Sequence, residues 1–183
     1  YIPDGGGRAG LILPFLKYWD IELRTARWQD RGALAAKYQG EPPPLVQVIG
    51  SSGFNSRAFL RRAGDLASNA LFVDAFWPQA NPAAEAFAQA YQAKTGRPPN
   101  ALAAHAHDAT LMLARAAAGG GDRAAVRAAL AAARHQGVFG PVRVQPDGDV
   151  AFWPVLLTVM PGHGITLRQD DLRAQDADAP EGM

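Results

Sequence analysis

The chain has 183 residues, with Lys+Arg 18 against Asp+Glu 17 for a formal charge of +1, and no cysteine. That length allows one ordinary domain or a pair of lobes, with a real core that removes about 70% of the unfolded surface from water. The basic residues are scattered and form no stripe, which argues against nucleic acid and acidic membrane surfaces; the lack of thiols excludes disulfide frameworks, thiolate nucleophiles and cysteine-ligated zinc.

The chain opens at Tyr1, without an initiator Met, on what reads as the tail of a strand, Tyr1 to Pro3. Preceding residues are therefore expected, and any signal peptide or lipid anchor would lie among them. The loop Asp4 to Gly7 leads to an apolar-faced helix with Leu11, Ile12, Phe15, Leu16 and Trp19, whose start the internal Pro14 should delay to Gly10 to Leu13. Residues 22–44 carry the weakest pattern. Leu34 and Tyr38 share a helical face before the stop Glu41-Pro42-Pro43-Pro44, but the same stretch also reads as an insertion or an irregular loop.

Val46 to Pro78 reads as strand, polar turn, helix, strand: one βαβ unit with Val46 to Ile49 and Leu71 to Phe76 as adjacent parallel strands. Ser51, Ser52, Gly53, Phe54 and Asn55 follow the first strand, and Asp74, Phe76 and Trp77 close the second. Hydroxyls, an amide, a carboxylate and aromatic faces thus arrive at the carboxyl edge of one sheet, where open α/β folds bind ligands. Such an edge suits recognition more than chemistry.

Three helices are expected next. Asn81 and Pro82 start the first, with Ala84, Phe87, Ala88 and Tyr91 on one face and Gly96 at its end. Asn100 caps the second, whose buried stripe would be Leu102, Ala106, Ala109, Leu113 and Ala116. Asp122 caps the third, with Val126, Ala129, Leu130 and Ala133 inward and Gly137 as terminator. Val142 to Val144, the turn Pro146-Asp147-Gly148-Asp149 and the run Val150 to Met160 read as a hairpin. Val155 to Met160 is far short of the roughly 20 apolar residues of a membrane span. The acidic, aromatic-free stretch from Gln169 reads as a frayed tail.

Several chemical motifs are incomplete. Gly5, Gly7 and Gly10 satisfy G-x-G-x-x-G, but Asp30 ends no second strand that would supply the ribose carboxylate, and the pattern reads as a flexible loop. His105 and His107 lie about 200° apart on a helix and do not converge on one ion; His105 and Asp108 are the neighbours by spacing. His135 and His163 fall at a helix end and in a loop. Ser51 and Ser52 lack the G-x-S-x-G elbow, and no carboxylate pair converges, so no catalytic residue, metal ligand or cofactor is assigned. Asp74, set in an apolar strand, either bonds loop amides or meets a ligand ammonium.

The order of LILPFLKYWDI, VQVIGSSGFNS, ALFVDAFWP, the helices from NPAAEAFAQAYQAKTGRPPN through ALAAHAHDATLMLARA, and the closing GVFGPVRVQPDGDV resembles the C-terminal half of type 1 periplasmic binding proteins, the branched-chain amino-acid receptors above all. Phe87 and Tyr91, Gly96 and Pro99, Ala103 to Ala109 and Gly137 to Asp149 occupy the family's motif positions, with His107 where the family has Tyr. The IPD opening and the GSSGFNS turn are similar to a branch of lipoprotein activators of penicillin-binding proteins.

The resemblance implies a bilobed α/β fold of mainly parallel sheets flanked by helices, closing on its ligand like a hinge. Residues 1–78 would belong to the second lobe, 79–137 would return to the first, 138–168 would cross between lobes as a closing hairpin, and 169–183 would be a flexible tail. It also implies a missing N-terminal lobe and a periplasmic location, with a lipid anchor on the absent N-terminus as one form of it. The function implied is non-enzymatic binding of an amino-acid-like small molecule. Ser51, Ser52 and Asn55 would give hydrogen bonds, Asp74 would take an ammonium, and Phe54, Phe76 and Trp77 would cover apolar parts. The larger partner would be an ABC transporter permease or, in the rival reading as an envelope interaction module, a peptidoglycan synthase.

Overall fold

The computed structural model describes residues 1–28, 30–39, 41–162 and 164–168; His163 and the tail from Gln169 lie outside them. The chain divides into two compact units, Tyr1–Asp74 with the chain from Leu156, and Ala75–Val155.

The first unit is built on helices α1 (Gly6–Tyr18), α2 (Arg31–Tyr38) and α3 (Arg57–Ala63) around a sheet ordered β1-β2-β6-β7. Strands β1 (Ile49–Gly50) and β2 (Leu71–Asp74) pair in parallel, as the sequence predicts, in the register Ile49 to Leu71 and Gly50 to Phe72. The first strand is shorter than expected. Val46 instead forms a parallel bridge with Leu23, and Ile2 bridges Gly50. Strand β6 (Val155–Val159) pairs antiparallel with β7 (Ile165–Leu167), a strand the sequence reading did not contain.

Helix α1 starts at Gly6, four residues before the earliest predicted start, and carries Pro14 in its interior. Packing decides this. A Cβ at Gly6 would fall on the Gly53 carbonyl and the Ser56 hydroxyl, and one at Gly10 would stand 2.8 Å from Arg62 Cβ, so these glycines let α1 lie directly on α3. The glycine run is a close-contact seam, not a loop. The buried positions of α1 are Gly6, Ala9, Gly10 and Leu13, which leaves Leu11, Phe15 and Trp19 exposed, against the predicted apolar face. Phe54, Phe59 and Phe72 form the aromatic centre of this unit, Phe54 stacking on Phe59 at 4.0 Å.

The second unit contains α4 (Pro82–Thr95), α5 (Ala101–Ala118), α6 (Arg123–Ala131) and the antiparallel sheet β3 (Arg134–Gly137), β4 (Gly140–Val144) and β5 (Val150–Ala151). Asn81, Asn100 and Asp122 cap their helices through side-chain oxygens, as their positions predict. Two expectations fail here. Helix α6 stops at Ala131 because Arg134–Gly137 pairs with β4, so Gly137 ends a strand before a two-residue hairpin turn and does not cap a helix. The run from Val150 also divides, β5 joining β4 while Val155–Val159 forms β6.

Helix α5 is rotated from its predicted orientation: Ala104, Asp108 and Met112 are buried, while Leu102 and Leu113 are exposed. In a helix dominated by alanine and leucine the apolar period is ambiguous, and a buried carboxylate with a tertiary partner fixes the rotation. The core gathers Phe76, Ala84, Ala104, Met112, Val138, Phe139 and Val142.

Candidate functional site

Strand β1 ends at Gly50, where a Cβ would run into the Phe54 ring; glycine lets the chain fold back over that ring. Ser51 caps the short 3₁₀ turn Ser52–Phe54, and its Oγ donates to the Asp4 carbonyl at 3.3 Å. Ser56, not singled out by the sequence, accepts from Phe59 N at 3.2 Å and donates to the Gly53 carbonyl at 3.0 Å. These two hydroxyls shape the turn. They leave Ser52 and Asn55 exposed above it.

Asp74 closes β2 and is buried. Asn55 Nδ2 donates to Asp74 Oδ2 at 2.7 Å, which joins the turn after β1 to the end of the neighbouring parallel strand. The group Ser52, Asn55 and Asp74 therefore stands at the carboxyl edge the sequence indicated.

The predicted aromatic cover is different. Phe54 is fully buried within the first unit and does not face that edge. Phe76 packs edge-on against Phe87 at 5.9 Å and Phe139 at 6.3 Å in the core of the second unit. Trp77 is half-buried in the second unit. Alternation along a strand cannot distinguish an aromatic ring under a turn from one at its surface.

Two buried charge clusters were not legible. In the first unit, Glu22 is buried; its Oε2 accepts from Trp28 Nε1 at 2.7 Å, and its Oε1 accepts from Tyr38 at 2.7 Å and from Lys37. Burial pushes the Glu22 carboxyl up, but these hydrogen bonds, with the Lys37 charge, outweigh it and hold the group below the usual carboxylate range. The signal was the acid, aromatic and lysine at positions 22, 28 and 37, hidden by irregular backbone between them.

In the second unit, both carboxylate oxygens of buried Asp108 accept from Val138 N, at 3.2 and 2.9 Å, tying α5 to the β3–β4 turn. His107 Nδ1 lies 3.1 Å from Asp108, and His135, on β3, is buried with Arg115 2.8 Å from its Nδ1. The partners of Asp108 are thus His107 and the β3–β4 hairpin, not His105. The His105 ring instead stacks on Phe139 at 4.3 Å, while His107 lies 4.7 Å from Phe87.

The first unit thus carries a βαβ edge with Asn55 bonded to buried Asp74, and the second unit carries three helices and the β3–β4 hairpin. The sequence profile of the periplasmic binding protein family matches residues 32–153. The chain belongs to that family. Its fold is that of the type 1 periplasmic binding proteins. A protein described as a branched-chain amino acid ABC transporter from Rhodospirillum rubrum is 25% identical, with TM-score 0.58, over 74% of this chain and 40% of its own. The substrate-binding protein LivJ from Streptococcus pneumoniae, solved with isoleucine, is 24% identical with TM-score 0.58, over 91% of this chain and 43% of its own. The leucine-binding protein LivK from Thermotoga maritima is 23% identical with TM-score 0.54, over 73% of this chain and 38% of its own. The periplasmic binding protein chain thus spans about two fifths of the length of these relatives. Among curated proteins no relative is detected.

Proposed function

We propose that this chain is the solute-recognising portion of a periplasmic, non-enzymatic binding protein that takes an amino-acid-like molecule at the carboxyl edge of β1 and β2. The observation that carries this reading is the 2.7 Å bond from Asn55 to buried Asp74 across adjacent parallel strands. It sets a buried negative charge at that edge, which would attract a ligand ammonium, with Ser52 and Asn55 exposed beside it to bond the ligand's own carboxylate. Family membership and neighbours that carry isoleucine or leucine in their names support an amino acid as the solute. In this reading residues 1–78 form most of one lobe, 79–137 belong to the other, 138–168 cross back, and a further N-terminal lobe completes the cleft. An ABC transporter permease then receives the loaded protein.

The test is calorimetry of the native protein with L-isoleucine and L-leucine, beside the double variant Ser52→Ala with Asn55→Ala. Loss of partners for buried ligand groups should weaken binding by about 1–3 kcal/mol. Unchanged affinity would remove these residues from the site. Absence of amino-acid binding in the unaltered protein would defeat the proposal and favour an envelope interaction role for the same fold.

A further inference from the structure

The first unit contains a concavity away from the Asn55 and Asp74 edge. About 410 Å³ in volume, it is lined by Lys17, Thr25, Arg27, Trp28, Asp65 and Ser68, among others. Asp65 and Ser68 lie just before β2, and the bond from Ala26 N to the Ser68 hydroxyl brings residues 25–28 to that same end. The space therefore lies at the amino ends of the parallel strands whose carboxyl ends carry Asn55 and Asp74.

Its walls are held from behind. The Ser68 hydroxyl accepts from Ala26 N at 3.0 Å and donates to the Asp65 carbonyl at 2.6 Å, which fastens the two loops together. The Trp28 indole is fixed through Nε1 to Glu22, itself held by Lys37 and Tyr38. The Arg27 guanidinium lies over that indole, 4.7 Å from the ring centroid. A guanidinium resting on a fixed aromatic face keeps its N–H edge for a carboxylate, in the planar geometry that lysine lacks. Among the described residues neither Arg27 nor Lys17 forms an ion pair. Glu22, also in the lining, is neutralised by Lys37 from outside it, which leaves Lys17 and Arg27 facing the single acid Asp65.

We propose that this cavity is a second binding site, for a small organic carboxylate, with Arg27 and Lys17 as its cationic anchors and Glu22 and Trp28 as positioning residues for Arg27. The volume falls in the range of small-molecule sites, which run from roughly 300 to 1,000 Å³. The site is separate from the proposed amino-acid site and does not depend on it.

Isothermal titration of the native protein with citrate and succinate tests this, with and without L-isoleucine. Saturable binding is expected, insensitive to L-isoleucine, with Arg27→Gln and Lys17→Gln each lowering affinity about tenfold. Trp28→Phe, which removes the indole N–H, should weaken binding while Arg27 stays in place. Thermal melts of Arg27→Gln and Lys17→Gln at unchanged midpoints establish that the loss is local. No saturable binding by about 10 mM ligand would overturn the proposal. Undiminished affinity in both Arg27→Gln and Lys17→Gln would overturn it as well, and equal binding of inorganic phosphate would overturn the carboxylate assignment.

Discussion

Gly6→Ala is the sharpest probe of how packing sets the candidate site. The added Cβ would meet the Gly53 carbonyl and the Ser56 hydroxyl, and would stand 2.8 Å from Phe59 Cβ. Two of these neighbours are backbone or Cβ, which cannot swing aside, so α1 must move from α3 or the 51–56 turn must shift. Overpacking of this kind costs about 1–3 kcal/mol. The better helix propensity of alanine returns at most about 1 kcal/mol, and less at a first helical position. A net loss of about 1–2 kcal/mol is expected. Gly5→Ala is the matched control, since a Cβ there meets nothing within 4 Å. Urea unfolding of the native protein, followed by tryptophan fluorescence, should show a lower midpoint for Gly6→Ala and an unchanged one for Gly5→Ala. Because Gly53 lies in the turn that carries Ser52 and Asn55, the same variant should also weaken amino-acid binding. Equal stability of the two variants would refute the close-contact account and restore the flexible-loop reading of the glycine run.

Glu22 gives a signed pH dependence. Its carboxyl is held below its ordinary value of 4.5, so folding favours the charged form. The resulting stabilisation is complete above that value and disappears as pH falls through the lower folded one. The Lys37 ammonium is raised above 10.5, first by its hydrogen bond to Glu22, so its share persists through neutral pH and is lost only in strong alkali. The stability gap between the native protein and Glu22→Gln should therefore be constant from about pH 9 to 6 and shrink below about pH 4; a gap unchanged down to pH about 3 would contradict the linkage. A third expectation concerns exposed surface: Leu11 and Phe15 on α1 and Trp19 just after it are 54%, 67% and 72% exposed, and Leu102 and Leu113 on α5 are 75% and 52% exposed. Apolar faces of this kind are seldom left bare in a monomer, so the 183-residue chain alone should dimerise or aggregate in light scattering. A stable monomer with cooperative melting would count against the two-lobe assignment.

What the sequence determined by itself was local. The caps Asn81, Asn100 and Asp122 were readable because a short polar side chain before an apolar period bonds amides three residues away, within reach of a sequence window. The parallel pairing of β1 with β2 was readable because a strand, a single helix and a strand close in one hand. Those two strands also placed Asn55 and Asp74 at one edge. Tertiary structure decided which face of an element turns inward, since several rotations of the alanine-rich α5 bury similar apolar area until Asp108 finds the Val138 amide. It likewise sent Phe54 and Phe76 into their cores, made a packing seam of Gly6 and Gly10, and brought Glu22, Trp28 and Lys37 together. Each of these outcomes depends on atoms distant along the chain, and no periodicity within one element carries that information.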